Sequence, residues 1–420
     1  MNIRSLFGFL PPLLLYAEDR LPVMDIPSCD RSVLAIRKDP GKARVPLLAA
    51  GDTLRTGTRI HSTDGVLLAF SPVTGTVERI HDLPCINEDV TAVTIRVAEG
   101  DERDGVCGGF EGYRDMEPDS LLSILREAGL LEPCTDPEEH HDALILNCLE
   151  SDLLVSINGT VLEENGESIR NGMKLLAGAL GAECVIVAAP RGLARAAEGI
   201  VREGGESIAE VHVVNPRYPA GMKELLPGSL PRKRFRRPLV LSPWAVHSMM
   251  TYLETGCPPL KKIISLIDGN NERRNVRVGI GTPISHLLRE ANVKIGEGDK
   301  LVLGGPMRGV PAFHAEFPVT AEIDAIMVQD RDRVVALGSD PCTGCGKCVE
   351  VCPVGLQPHL LGRYSEFGLF ERCRDYDIDA CIECGMCAYA CGARRALVQY
   401  ITFAKQELLK MEGGKGDDDR

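Results

Sequence analysis

PCTGCGKCVEVCP (residues 341–353) and CIECGMCAYACG (residues 381–392) decide how this chain is read. Each block spaces four cysteines as C-x-x-C-x-x-C-x-x-x-C: Cys342, Cys345, Cys348 and Cys352, then Cys381, Cys384, Cys387 and Cys391. Thiolates are soft donors that suit iron–sulfur iron, and the short gaps let three of them converge on one face of a cube. Structural zinc also takes C-x-x-C pairs, but it needs four ligands and prefers two separated pairs. Two runs of this spacing therefore predict two [4Fe–4S] clusters and a chain that passes electrons. Gly344, Gly346 and Gly385 keep the loops small enough for backbone amides to reach sulfur. By charge alone, Lys347 would raise the potential of its cluster, and Glu350 and Glu383 would lower theirs.

The runs resemble the ligand pattern of a bacterial two-cluster ferredoxin, where the fourth cysteine of each run crosses to the other cluster. That resemblance implies one centre held by Cys342, Cys345, Cys348 and Cys391, and another held by Cys381, Cys384, Cys387 and Cys352. Pro353 follows the first block, whereas Gly392 follows the second, where proline is usual. Glycine makes the same turn with less rigidity, so a looser second site is expected.

Working outward, 420 residues suggest roughly three domains. The net charge of −13 argues against nonspecific binding of nucleic acid. The local exception is Arg232, Lys233, Arg234, Arg236 and Arg237, which reads as a solvated loop or a contact with acidic lipid or a partner. The remaining cysteines (29, 85, 107, 134, 148, 184, 257 and 373) form no repeat and read as free thiols in a reducing compartment. Cys373 lies between the blocks but is surplus to two four-thiolate centres. No stretch is long and apolar enough to span a bilayer. Leu6 to Tyr16 is apolar, is broken by Pro11-Pro12 and lacks a small-x-small cleavage site. It reads as a segment that packs on a partner, lies at a membrane interface or is a plain disordered leader.

The chain divides into an apolar leader (1–21), an all-β region (22–104), an alternating strand–helix region (105–258), a small β-grasp with its linker (259–337), the cluster domain (338–410) and a disordered tail (411–420). In the second region AAGDTLRTGTRI (49–60) and AFSPVTGTVERI (69–80) resemble the halves of a biotinyl/lipoyl-type barrel-sandwich hybrid. No lysine lies between them, which favours a scaffold over a swinging arm. In the third, apolar strands at Ala143–Asn147, Cys184–Ala188, Ala209–Val214 and Pro238–Leu241 alternate with helices, predicting a Rossmann-like parallel sheet. Such sheets bind ligands at the carboxyl ends of their strands, which nominates Asn147, Glu150, Asp152, Pro190, Arg191, Asn215 and Tyr218. KKIISLIDG, RNVRVGIGT and DKLVLGGPMRG supply the short strands of the fourth. Leu397, Tyr400, Ile401, Ala404 and Leu408 share one face of a closing helix.

Taken in order, these pieces resemble the C subunit of the Rnf complex, an ion-pumping ferredoxin:NAD⁺ oxidoreductase. The matching segments are Gly51-Asp52, Pro72–Val77, Asn147–Glu150, Arg217-Tyr218-Pro219, IGTPISHLL (280–288), LGGPMRG (303–309) and both cysteine blocks. The resemblance implies an electron-transfer subunit at the cytoplasmic face of the cell inner membrane, peripherally bound. It further implies other Rnf-type membrane subunits and a ferredoxin-like or cytochrome redox carrier as partners. It also implies an α/β domain of the kind that takes FMN and NADH on a glycine-rich loop, with Asn147, Glu150 and Tyr218 at its mouth. Leu131–Ala143 departs from that pattern: it holds no glycine, and Asp136, Glu138, Glu139 and Asp142 would repel phosphate. The departure counts against FMN and NADH. His140-His141 beside these acids reads as solvated loop, because adjacent histidines point apart. The alternatives are an NADH-oxidising flavoprotein, a soluble electron donor to another reductase, and a scaffold with structural clusters.

Overall fold

Ala143–Asn147 is an unbroken apolar strand, and the fold explains why: it is an interior strand of a parallel sheet, covered on both faces. The computed structural model describes residues 13–38, 45–84, 89–104, 108–132, 141–203, 206–231, 235–338 and 340–414. The sheet runs Glu210–Val213, Cys184–Ala189, Ala143–Asn147, Pro238–Leu241, every pair parallel. In chain order this is third, second, first, fourth. The order reverses between Ala143–Asn147 and Pro238–Leu241, which opens a crevice at their carboxyl ends.

One face of this sheet carries helices. Gly166–Leu180 places Ile169, Met173, Leu176 and Leu180 on its buried side and stops at Gly181, whose φ of 62° is cheap for glycine. Pro243–Thr255 starts at Ser242, whose hydroxyl accepts the Ala245 N–H at 3.1 Å, and ends at Gly256. The two helices pack closely at Gly172, where a β-carbon would lie 2.5 Å from Val246 Cγ1. The other face is covered by residues 214–230 and by the cluster domain: Ile145, Ile186 and Ala188 share a core with Tyr218, Met222, Leu226, Val351, Cys384 and Met386.

Two further sheets flank this layer. Arg31–Arg37, Asp89–Val97, Gly75–Pro84 and Thr53–Leu54 form an antiparallel sheet, in that order. A six-stranded sheet runs Val23–Asp25, Arg273–Gly279, Lys261–Ile267, Ala325–Gln329, Lys300–Leu303, Val310–Pro311. It differs from the sequence reading at both ends of its sequence range. Val23–Asp25, placed with the N-terminal β region, instead pairs in parallel with Asn275–Arg277. Ala325–Gln329 enters the middle of the sheet, parallel to Lys261–Ile267. Lys262, buried in this sheet, bonds Asp324 Oδ1 at 2.7 Å and lies over the Trp244 ring.

The leader packs on its own chain from residue 13 onward. Tyr16 is buried, its ring meets Tyr218 edge to face at 5.4 Å, and its N–H donates to the Pro216 carbonyl at 2.8 Å. Residues 1–12, 133–140, 232–234 and 415–420 lie outside the described set, and with them much of the apolar leader, the glycine-free segment, the basic run and the tail.

Candidate metal centres and the adjoining cavity

Both cysteine blocks fold alike. A turn carries the first two thiols, a left-handed glycine (Gly346, φ 74°; Gly385, φ 78°) redirects the chain, and a short helix presents the third. Glycine takes that backbone at little cost. The amides turned inward reach sulfur. Gly344 N–H donates to Cys342 Sγ at 3.5 Å, Leu356 N–H to Cys352 Sγ at 3.3 Å and Arg395 N–H to Cys391 Sγ at 3.5 Å.

The thiols gather across the blocks. Cys348 interacts electrostatically with Cys342, Cys345 and Cys391. Cys387 does so with Cys381, Cys384 and Cys352. Among the described residues no three His, Cys, Asp or Glu side chains are close enough to share a single metal ion. A four-iron cube makes no such demand, because each of its thiolates binds a different iron. Four thiols per set, with amides directed at sulfur, fit that group and leave Cys373 apart. Cys373 is buried among Leu361, Ile378 and Ile401, with its thiol on the Leu361 carbonyl at 3.7 Å.

The two sets sit in unlike surroundings. Cys342 and Cys345 are exposed, and the Lys347 amide bonded to Cys345 holds that thiol below its ordinary range. Cys384 is buried against the parallel sheet and Cys387 beside Cys348 and Leu397, and burial pushes the Cys384 thiol up to about 11 and Cys387 higher still. Sequence spacing could not give this difference, since it comes from what the second block lies on. Met307, in the turn after Lys300–Leu303, rests on Gly385: a β-carbon there would lie 2.7 Å from the Met307 carbonyl oxygen. Tyr218 donates its hydroxyl to the Cys384 carbonyl at 2.6 Å. From the closing helix, Lys405 Nζ lies 2.6 Å from the Cys381 carbonyl and 2.9 Å from Glu383 Oε1. The charge of Glu383 is thus offset by an ion pair.

A cavity of about 910 Å³ opens where the strand order reverses. Its lining includes Ser151, Asp152, Trp244, Ser248, Gly305 and Arg308, with Phe313 and His314 from the far side. Of the nominated mouth residues, Asp152 reaches this lining. Its carboxylate accepts the Met307 and Arg308 amides at 3.2 and 2.8 Å, and Gly305 presses on its side chain. Glu150 is buried, with Oε1 accepting the Asn158 N–H at 2.9 Å, and burial raises its pKa to about 8. Asn147 spends its amide on the Gly221 carbonyl at 2.7 Å. Tyr218 faces the cluster domain. Among the described residues, His141 sits by the Arg237 carbonyl. Trp244, Ser248 and Arg308 went unnominated. Ser248 and Trp244 lie on the helix Pro243–Thr255, and Arg308 lies in the turn after Lys300–Leu303, a strand of another sheet.

Residues 334–392 match the family described as "4Fe-4S dicluster domain". Over most of its length the chain is similar to curated proteins of one kind. One is the C subunit of the Na⁺-translocating ferredoxin:NAD⁺ oxidoreductase complex of Acetobacterium woodii, 25% identical, with 88% of this chain and 89% of the relative covered. Another is the C subunit of the ion-translocating oxidoreductase complex of Methanosarcina acetivorans, 26% identical, with 94% of each covered. The chain is thus similar, over most of its length, to C subunits of ion-translocating, Rnf-type complexes. Among solved structures, the chain resembles the NAD⁺-reducing [NiFe]-hydrogenase in its H₂-reduced state, at 14% identity and a TM-score of 0.45, covering 71% of this chain and 64% of that one. No described helix of the chain is long and apolar enough to cross a membrane.

Proposed function

We propose that this chain is the electron-transfer subunit of a membrane-associated Rnf-type complex, bound peripherally at the cytoplasmic face of the cell inner membrane. The observation that carries this reading is the pairing of thiols across the two blocks, with Cys342 and Cys345 exposed in one set and Cys384 and Cys387 buried in the other. Cys342, Cys345, Cys348 and Cys391 would hold one [4Fe–4S] cluster, and Cys381, Cys384, Cys387 and Cys352 the other. The clusters, when bound, supply one-electron chemistry at potentials set by ligation, hydrogen bonding and exposure. The chain's own residues divide the labour. The exposed loop of Cys342 and Cys345 leaves room for a soluble redox carrier. The core of Tyr218, Met307 and Met386 excludes water from the buried set. The flanking sheets fit a barrel-sandwich hybrid and a β-grasp around a Rossmann-like layer, a scaffold on which the other membrane subunits would assemble.

The cavity at the strand-order reversal favours a second reading, an NADH-oxidising flavoprotein. Its described lining fits a phosphate poorly. The Asp152 carboxylate already occupies the Met307 and Arg308 amides, and Arg37 in the same wall is engaged by Glu322, as Lys262 is by Asp324. Cofactor analysis of anaerobically purified protein tests both readings. Iron and acid-labile sulfide near roughly eight each per chain support the first. Released flavin, with NADH bleaching the visible absorbance, would replace it with the second.

A further inference from the structure

The two thiol sets differ in which side chains reach the backbone of the cysteines themselves. In the buried set, two carbonyls each accept a side-chain donor. Tyr218, from the α/β layer, donates its hydroxyl to the Cys384 carbonyl at 2.6 Å. Lys405, from the helix that closes the cluster domain, donates to the Cys381 carbonyl at 2.6 Å. Both carbonyls belong to residues whose thiols lie in the Cys381, Cys384, Cys387 and Cys352 set.

Their surroundings make these donors matter. Tyr218 is almost wholly buried, packed between Tyr16 and the cluster loop, so its O–H dipole acts in a medium of low dielectric. Lys405 pairs with Glu383 Oε1 at 2.9 Å and stays partly exposed. Each donor draws electron density from the carbonyl of a cysteine in this set, and Lys405 also acts electrostatically on the Cys381 thiol. Burial works the other way, because a desolvated thiolate-ligated cluster resists an added electron.

We infer that Tyr218 and Lys405 are positioning residues that raise the reduction potential of the buried centre by donating to the Cys384 and Cys381 carbonyls. The inference rests on the proposed ligation. It adds that the potential of one centre, and not of its neighbour, is set in part by a tyrosine from a different layer of the fold. Segment 214–222, which carries Tyr218, thereby ties the buried centre to the sheet that borders the cavity. A movement there would be felt as a change in potential.

The test is a redox titration of the intact, anaerobically loaded chain, followed by electron paramagnetic resonance. Wild type, Tyr218→Phe, Lys405→Met and Cys352→Ser are compared, with iron and sulfide measured in each. Loss of Cys352 identifies the signal of the buried centre. Tyr218→Phe keeps the ring and removes only the donor, and Lys405→Met keeps the stem at a partly exposed position. The Lys405 arm therefore stands even if the tyrosine variant fails to load. Both variants are expected to move the Cys352-dependent signal to more negative potential and leave the other in place. Unmoved signals, equal movement of both, or variants acting on different signals would overturn the inference. A wild-type preparation without iron would instead defeat the ligation on which it rests.

Discussion

Gly346 and Gly385 hold equivalent places in the two cysteine blocks, and replacing each by alanine separates the loop's own demands from its docking. Both residues have left-handed backbone, at φ 74° and 78°. An L side chain there costs about 1–2 kcal/mol whatever its surroundings. At Gly346 a β-carbon meets nothing within 4 Å, so that strain is the whole effect. At Gly385 the same carbon would lie 2.7 Å from the Met307 carbonyl oxygen and 3.4 Å from Met307 Cε. The methyl end can swing away, but the carbonyl is backbone in a turn latched by Asp152, so the loop or the turn must shift. Overpacking of that kind adds roughly 1–3 kcal/mol. Gly346→Ala should thus lose about 1–2 kcal/mol, and Gly385→Ala about 2–5 kcal/mol. Anaerobic thermal melts of loaded protein measure the pair, and iron content reports whether the added loss falls on the buried centre. Equal losses in the two variants would refute docking of the second block on the 304–309 turn.

Two further perturbations follow from the packing around the cavity. Glu150 keeps a proton in the folded chain that the unfolded chain releases, because burial lifts its pKa from 4.5 to about 8. Its stabilising contribution is complete below pH 4.5 and is lost as pH rises through 8, an upper limit of roughly 5 kcal/mol at about 1.36 kcal/mol per unit. Glu150→Gln should remove that slope, so melting curves taken from about pH 5 to pH 9 should diverge from wild type toward the alkaline end; parallel profiles would contradict the assignment. Tyr16→Ala should cost about 3–5 kcal/mol through loss of a buried aromatic, read as a lower melting temperature. An unchanged melt would mean that the leader does not hold the Tyr218 core in solution.

The elements most legible in the sequence were those with a local signal. Ala143–Asn147 and Pro238–Leu241 are short apolar runs closed by polar residues, and they fold with those bounds. The closing helix buries Leu397, Ile401, Ala404 and Leu408 at the spacing that marks them, while Tyr400 stays partly exposed. What escaped were pairings between distant segments. Nothing in Val23–Asp25 names Asn275–Arg277 as its neighbour, and strand partners of that kind are chosen by the assembled core. The site shows the same limit. The spacing of the cysteines announced two sets of thiols, but their unequal burial depends on the sheet beneath the second block. Tyr218 was nominated from the end of a strand, a position that says which edge the loop leaves and not which way the side chain turns. Its hydroxyl meets Cys384 because residues 214–230 fold across the sheet face that the cluster domain also covers.

The measurement that bears most directly on the shared thiol sets is iron content in paired cysteine variants. Cys352→Ser alone should leave about four irons per chain. Adding Cys381→Ser should remove no more, because both serve one centre, whereas adding Cys342→Ser should strip the chain of nearly all its iron. The reverse pattern, with the Cys342 pair no worse than the single variant and the Cys381 pair empty, would mean that each block holds its own cluster and would contradict the account.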